Sequence, residues 1–191
     1  MTTELEIWNS IKNSDIDALK ELYELYHQAL FNYGKKMTKD LQLIEDAIQE
    51  AFISIWKYRG TSSVPTAVKQ YVFMVFRNKL ASIFKERSAT TYTEESLNFS
   101  FEISFDKKII EGEDAEKLSA EINKALMQLT NRQREIVYYR FYENLSFEQI
   151  GVIMEMQTRA TYKLMARALE ALKEIMDPRI FKLLLAFFKV G

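Results

Sequence analysis

Residues 146–172, SFEQIGVIMEMQTRATYKLMARALEAL, have the phasing of a helix, a tight turn and a second helix. Ser146 and Gln149 form a capping box, in which a hydroxyl and a side-chain amide satisfy free backbone N–H groups, so the first helix begins near Phe147. Residues that can share one buried face recur at helical spacing in both segments: Phe147, Ile150, Gly151 and Met154, then Thr161, Met165, Ala168 and Leu172. The pattern predicts a helix-turn-helix with a common core.

The outward face of the second helix carries hydrogen-bond donors and cations: Thr158, Arg159, Tyr162, Lys163 and Arg167. Such side chains suit phosphates and base edges in a major groove, so this face is predicted to read DNA. The competing interpretation is a helical hairpin with an ordinary solvated face, because short motifs of this kind also occur without a DNA-binding role.

Composition favours an all-α protein, since the 191 residues include only two Pro and five Gly and are rich in helix formers. The absence of Cys excludes disulfides, thiolate zinc sites and cysteine nucleophiles. No apolar run is long enough to span a bilayer, and the start MTTELEIWNS lacks the order of a signal peptide. A cytoplasmic protein without membrane insertion is therefore expected, and no cofactor is indicated.

Residues 1–56 are acidic on balance and predict two or three amphipathic helices, one of them starting at Ser14 with Asp17. His27, the only histidine, is expected to be structural because no second ligand or nucleophile accompanies it.

The helix after Asp40 has a face that combines acidic, polar and one aliphatic side chain: Asp46, Gln49, Glu50 and Ile53. A solvated surface is the competing interpretation of this face, and a metal site is disfavoured because no His joins its acids. The other side of the helix is predicted to be buried through Ile44, Ala47, Ile48, Ala51, Phe52, Ile55 and Trp56.

Residues 57–87 are basic and interleave cations with aromatic rings. The cations are Lys57, Arg59, Lys69, Arg77, Lys79, Lys85 and Arg87, and the rings are Tyr71, Phe73 and Phe76. A cationic track beside rings is how proteins hold an unpaired strand. For any single ring, however, a place in the core is the favoured interpretation.

Residues 88–114 predict an acidic linker, in which the alternation LNFSFEISF is expected to be extended or loosely ordered, because one strand without a partner is not a sheet. Helical pattern returns at 115–129 and again after Thr130, which opens a second capping box with Gln133. Asp177 and Pro178 begin an apolar tail helix, which is expected to pack on its own domain or on a partner.

Two blocks resemble bacterial RNA polymerase sigma factors of the sigma-70 family. EDAIQEAFISIWKYR is similar to their second conserved region, and LTNRQREIVYYRFYENLSFEQIGVIMEMQTRATYKLMARALEALK is similar to the fourth. The chain length, the order of the blocks and the lack of a domain between them resemble the extracytoplasmic-function group. The resemblance implies domains at 1–87 and 115–177, joined by the linker 88–114 and followed by the tail 178–191.

The resemblance also implies roles for individual residues. Core polymerase would bind the face formed by Asp46, Gln49, Glu50 and Ile53. The minus-ten element would contact Arg59, Ser62, Ser63, Lys69, Tyr71, Arg77, Asn78 and Lys79, and the minus-thirty-five element would contact Thr158, Arg159, Tyr162, Lys163 and Arg167. The acidic linker, with Glu94, Glu95, Glu102 and Asp106, would cross the polymerase near the RNA exit path.

Three departures from the family pattern stand out. Glu155 replaces the usual turn glycine, Ala160-Thr161 replaces Thr-Val, and Tyr71 replaces a Trp. Glu155 must therefore accept positive φ or shift the turn, because only glycine takes that conformation freely.

The resulting expectation is a non-enzymatic specificity factor with three partners, namely core RNA polymerase, promoter DNA and an anti-sigma protein. The alternative is a free-standing helix-turn-helix regulator, for which a dimer on a palindrome is expected. An enzyme has little support, given one His, no Cys and no phosphate-binding glycine loop.

Overall fold

The computed structural model describes residues 3–61, 65, 67–87, 99–103 and 113–190. Within these ranges the chain forms helices and no strand, which confirms the all-α prediction. The helices are α1 (Glu4–Lys12), α2 (Ile16–Gly34), α3 (Leu41–Tyr58), α4 (Val68–Arg87), α5 (Glu113–Leu126), α6 (Asn131–Phe141), α7 (Phe147–Ile153), α8 (Thr158–Ile175) and α9 (Pro178–Val190). They divide into two compact units, Met1–Leu97 with Val152–Glu155, and Asn98–Gly151 with Met156–Gly191.

Local capping determines where the helices of the first unit begin. The Asp40 carboxylate accepts a hydrogen bond from the Leu43 N–H (3.0 Å), as the sequence predicts for the start of α3. The predicted start of α2 at Ser14 is wrong by one residue. Asp15 caps the helix through the N–H groups of Asp17 (3.0 Å) and Ala18 (3.2 Å), whereas Ser14 lies in the turn before it at φ 67°.

The core of the first unit lies between α2, α3 and α4, with α1 packed on α2 and α4. Tyr33 packs edge-on against Phe73 (5.8 Å between ring centroids) and Phe76 (5.9 Å). Both Phe rings are fully buried, so the core interpretation is correct for them and neither can stack on a base. The predicted buried face of α3 is confirmed, except that Trp56 is only half-buried.

The second unit contains α5, α6, α8 and α9, together with α7 up to Gly151. Thr130 and Gln133 form the predicted capping box of α6, through Gln133 N–H to Thr130 Oγ1 (3.3 Å) and Thr130 N–H to Gln133 Oε1 (2.9 Å). At α9, the Arg179 N–H donates to Asp177 Oδ1 (2.7 Å), so the expected Asp-Pro start is also present. The tail helix packs on α5 and α8 and buries Leu184 completely, which places it on its own domain.

Part of the predicted linker belongs to the second unit. Phe99, Phe101 and Ile103 are buried there, although residues 88–114 read as an acidic connection, and α5 already begins at Glu113. The alternating apolar side chains of residues 99–103 pack on a helical surface formed by α5 and α6. The remaining linker residues, 88–98 and 104–112, lie outside the described ranges.

Candidate functional site

The helix-turn-helix is present, with α7 starting at Phe147 as predicted and α8 running from Thr158 to Ile175. Ser146 and Gln149 exchange the two hydrogen bonds of the capping box at 2.8 and 3.2 Å. The carboxylate of Glu148 accepts hydrogen bonds from its own backbone N–H and from the Ser146 side chain, which lowers its pKa. A negative charge at the helix start is thereby favoured.

Gly151 allows the two motif helices to approach each other. A Cβ at this position would lie 2.9 Å from the Met156 carbonyl oxygen and 3.0 Å from Thr161 Oγ1. The first distance is too short for a carbon and the second is unusually tight, so a side chain here would displace the turn backbone or Thr161. Thr161 is itself fully buried, and its hydroxyl donates to the Gln157 carbonyl (3.2 Å).

The turn between the motif helices contains Glu155 at φ 53°. It is closed by hydrogen bonds from the Glu155 N–H to the Val152 C=O (3.3 Å) and from the Met156 N–H to the Gly151 C=O (2.7 Å). Glu155 therefore accepts the left-handed conformation that glycine would adopt without strain. For a residue with a Cβ this conformation costs about 1–2 kcal/mol.

Replacing Glu155 with glycine should stabilise the protein by about 1 kcal/mol, because the relief of strain exceeds the entropy that glycine loses on folding. The change can be measured by urea denaturation followed by far-ultraviolet circular dichroism. Glu155→Ala is the matched control, since alanine keeps the Cβ and hence the strain. Equal stabilities of the glycine and alanine variants would contradict the assignment of strain to this turn.

The predicted reading face of α8 is exposed. Arg159, Lys163 and Arg167 point to solvent, Tyr162 is 51% exposed, and Thr158 is half-buried at the start of the helix. Sequence reasoning missed the aromatic support beneath this face. The Phe147 ring lies 4.2 Å from the Tyr162 ring, and the Arg140 guanidinium of α6 lies 5.5 Å from the Phe147 ring centroid.

The polar face of α3 combines negative charge with apolar surface. Asp46 is half-buried and accepts a hydrogen bond from Gln42 Nε2 (2.9 Å), whereas Gln49 and Glu50 are exposed and Ile53 is 59% exposed. An open groove of about 380 Å³ runs beside it, lined by Leu19, Tyr23, Gln49, Phe52, Ile53 and Trp56. An apolar centre with a polar rim is typical of a protein-binding surface. Leu19 and Tyr23 of α2 were missed because no pattern within α3 points to them.

The predicted minus-ten residues do not all reach the surface. Arg77 is 2% exposed, which corrects its assignment as a DNA contact. It follows Phe76 on the buried side of α4, where its side chain belongs to the packed interior. Asn78 is exposed, and Lys69 and Tyr71 are half-buried. Tyr71 packs edge-on against Trp8 with ring centroids 5.0 Å apart.

Two further cations of this set make contacts within the first unit. Arg59 lies over the Trp56 ring (4.1 Å) and donates to the Trp56 carbonyl (2.7 Å) and to Ser14 Oγ (3.1 Å). The Lys79 ammonium is 3.8 Å from the Glu50 carboxylate, so it links the predicted DNA-binding and polymerase-binding sets. At this exposure such a pair contributes little to stability. Ser62 and Ser63 lie outside the described residues.

The contacts of His27 support a structural role for this residue. Its Nε2 is 3.0 Å from a carboxylate oxygen of Glu45, and its ring lies beside those of Tyr23 and Phe31. In the described part of the chain, no group of His, Cys, Asp and Glu is arranged to hold a metal ion. The same residues include no helix that is both long and apolar enough to cross a membrane.

Comparison with known proteins identifies both units. The Sigma-70 region 2 family matches residues 22–90, and the Sigma-70, region 4 family matches residues 125–174. RNA polymerase sigma-H factor of Pseudomonas aeruginosa is 24% identical over 176 residues, which cover 88% of this chain and 91% of that protein. The ECF RNA polymerase sigma factor SigM of Bacillus subtilis is 22% identical over 158 residues, covering 82% and 94%.

The fold is also found in a solved structure. CnrH in complex with the cytosolic domain of CnrY has a TM-score of 0.61 and 14% identity, covering 90% of this chain and 95% of that chain. The two family matches occur in the order that the sequence predicts. The region 2 match covers most of α2 together with α3 and α4, and the region 4 match covers α6, α7 and nearly all of α8. The chain therefore belongs to the sigma-70 family, as an extracytoplasmic-function type sigma factor that directs RNA polymerase to promoters.

Proposed function

We propose that this sigma factor binds core polymerase through the exposed face of α3 and reads the minus-thirty-five element with α8. The observation that carries the proposal is the contrast in charge between the two surfaces. The face of α3 presents Asp46 and Glu50 around Ile53, whereas the outer face of α8 presents only cations and hydroxyls among its predicted contacts. An acidic, partly apolar surface suits a protein partner, and a cationic helix suits a DNA groove.

The minus-ten element is proposed to contact the accessible members of the basic region. These are Arg59, Lys69, Tyr71, Asn78 and Lys79, together with Ser62 and Ser63 outside the described residues. Arg77 is removed from this set and is proposed to hold α4 in place. A flipped base would need a pocket and stacking to offset its unstacking cost of a few kcal/mol. Tyr71, half-buried against Trp8, is the ring best placed among these residues to supply stacking.

The protein is proposed to act by binding alone, in the cytoplasm and without a cofactor, so it is not an enzyme. The functional domains are proposed to be residues 1–87 and 115–177. Residues 88–114 are proposed as the linker, apart from residues 99–103, which pack with the second unit, and residues 178–191 are proposed as the tail. The RNA-exit role of the linker remains a proposal. Glu102 is exposed, and Glu94, Glu95 and Asp106 lie outside the described residues.

An anti-sigma protein is proposed as a third partner, with α9 as its candidate contact. Leu183 is half-exposed on this helix although Leu184, next to it, is buried. CnrH, which shares the fold, is itself found in complex with a domain of another protein. The free-standing dimeric regulator is not favoured, because the similarity to sigma factors extends over both units and most of the chain.

Transcription in vitro tests this function. The protein is mixed with bacterial core polymerase and a pool of promoter fragments, and the transcripts are sequenced. We expect transcripts only when both proteins are present, from templates that share two short elements. Transcripts that are equally abundant without this protein would contradict the proposal.

Removing one cation from the reading face should weaken minus-thirty-five binding by about 1–3 kcal/mol if Arg159 or Lys163 contacts a base edge. A phosphate contact instead weakens binding to all promoters alike and makes the salt dependence shallower. Holoenzyme carrying Arg159→Ala or Lys163→Ala is titrated onto promoters at several salt concentrations. Lys173→Ala, an exposed cation in the last turn of α8, is the control. An effect no larger than that of Lys173→Ala would exclude α8 as the reader.

A further inference from the structure

The first helix, α1, precedes the part of the chain that matches the Sigma-70 region 2 family, residues 22–90. It is nevertheless firmly attached to the first unit. A capping box fixes its start, Ile7, Trp8 and Ile11 are buried, and the helix packs on α2 and α4. Two contacts join α1 and the turn after it to residues that are proposed to touch the minus-ten element.

The turn between α1 and α2 places a serine in a backbone conformation that favours glycine. Ser14 has φ 67°. Its N–H donates to the Ile11 C=O (2.9 Å), and the Asp15 N–H donates to the Ser10 C=O (3.0 Å). This pair of hydrogen bonds is the Schellman motif, in which the position of Ser14 is usually occupied by glycine. Serine is strained there because it carries a Cβ.

The side chain of Ser14 supplies a reason for this strain. Its Oγ accepts a hydrogen bond from Arg59 Nε (3.1 Å). The Arg59 guanidinium also lies over the Trp56 ring (4.1 Å) and donates from Nη1 to the Trp56 C=O (2.7 Å). Among the described residues these contacts use Nε and Nη1, which leaves the Nη2 group for a phosphate or a base edge. Ser14 therefore orients Arg59 without occupying all of its donors.

The second contact joins α1 to Tyr71. The Trp8 ring is fully buried and meets the Tyr71 ring edge-on, with centroids 5.0 Å apart and planes at 73°. Trp8 Nε1 is buried without a hydrogen-bond partner in the described part of the chain, a cost that phenylalanine would avoid. The indole thus fixes one side of Tyr71, which is half-buried and keeps part of its ring accessible to a base.

We propose that α1 and the turn after it position the minus-ten reader, with Ser14 orienting Arg59 and Trp8 orienting Tyr71. The inference rests on the proposed contact of Arg59 and Tyr71 with the minus-ten element. Ser14 and Trp8 act as positioning residues that do not touch DNA. Each is placed at a local cost in stability, which a purely structural role does not explain. A cation and a ring that are already oriented lose less entropy when DNA binds.

Two substitutions of Ser14 separate its hydroxyl from the backbone strain. Both remove the acceptor for Arg59, but only glycine relieves the strain, so Ser14→Gly should raise the urea midpoint and Ser14→Ala should not. Each should reduce open-complex formation by the holoenzyme by about threefold to tenfold, the range expected for one hydrogen bond. Unfolding cannot produce a variant that is more stable and opens promoters less. Asn9→Ala, an exposed site on α1, is the control and should match the wild type.

The contact with Tyr71 is tested by Trp8→Phe. This variant keeps an aromatic side chain in the core and changes the surface against which the Tyr71 ring rests. We expect a similar loss of open complexes, with binding to core polymerase unchanged. Open complexes are measured by the permanganate reactivity of unpaired thymines around the minus-ten element, with each holoenzyme at the same occupancy.

Double-mutant cycles decide whether the two residues act through their partners. If Ser14 works through Arg59, Ser14→Ala should cause little further loss in an Arg59→Ala background. Trp8→Phe should likewise cause little further loss in a Tyr71→Ala background. A single variant that opens promoters like the wild type, or losses that simply add, would overturn the inference for that pair. If the holoenzymes with Arg59→Ala and Tyr71→Ala open promoters as well as the wild type, it is the proposed minus-ten contact that fails.

Discussion

Replacing Asp46 and Glu50 together with alanine should abolish association with core polymerase while leaving the helix content of the protein unchanged. Both carboxylates lie on the exposed face of α3, and neither contributes to the packed side formed by Ile44, Ile48 and Ile55. Their loss removes the charge that steers and orients docking but opens no cavity in the core. Association is measured by pull-down and by size-exclusion chromatography with purified core enzyme.

Glu45→Ala is the matched control for this double variant. Glu45 is an acid on the same helix, but its carboxylate is half-buried and paired with His27 (3.0 Å). We expect it to keep polymerase binding. Retention of binding by the Asp46 and Glu50 double variant would show that α3 does not form the docking surface.

The second large effect is expected at Arg134, the most extensively bonded buried cation in the described part of the second unit. Besides the Phe99 carbonyl, its guanidinium donates to the carbonyls of Met127 (3.0 Å) and Leu129 (2.6 Å) at the end of α5. Burial lowers its pKa, but arginine stays charged at any pH the fold survives. Arg134→Met leaves these carbonyls without a donor and should destabilise the second unit by about 3 kcal/mol or more.

The two units can be followed separately because both Trp residues, Trp8 and Trp56, lie in the first. In urea, Trp fluorescence reports the first unit, and circular dichroism reports the helices of both. Arg134→Met should lower the urea midpoint of the second unit. This unit is seen as the part of the circular dichroism transition that has no counterpart in Trp fluorescence. Arg159→Met, an exposed site on α8, should leave both midpoints in place. A uniform shift of both signals, or none, would contradict the role given to Arg134.

The helix starts and the turn at Glu155 could be predicted from the sequence, because each depends only on residues that are close together in the chain. The capping boxes at Thr130 and Ser146, and the Asp40 cap, each combine residues three apart, so their hydrogen bonds depend on nothing distant. The missing glycine at Glu155 predicted a strained turn for the same reason, and φ there is positive. The predicted cap at Ser14 was wrong because the neighbouring Asp15 has equally suitable chemistry and caps α2 instead.

Tertiary packing decided the features that the sequence did not predict. Arg77 is a cation in a basic stretch, and only the folded structure shows that it is buried. The docking of residues 99–103 depends on Asn123 and Arg134, which are about 20 and 35 residues away and have no pattern of their own. The alternation of Phe99, Phe101 and Ile103 was the available signal. A period of two is compatible with one buried face, but it does not identify the helices that cover that face.

The central claim is that this chain reads promoters as part of polymerase holoenzyme, with one unit on each element. It is tested most directly by footprinting one selected promoter with the free protein and with the holoenzyme. The account predicts protection of both elements by the holoenzyme and weak, unspecific protection by the free protein at the same concentration. Strong protection of a palindrome by a dimer of the free protein, unchanged when core enzyme is added, would contradict it.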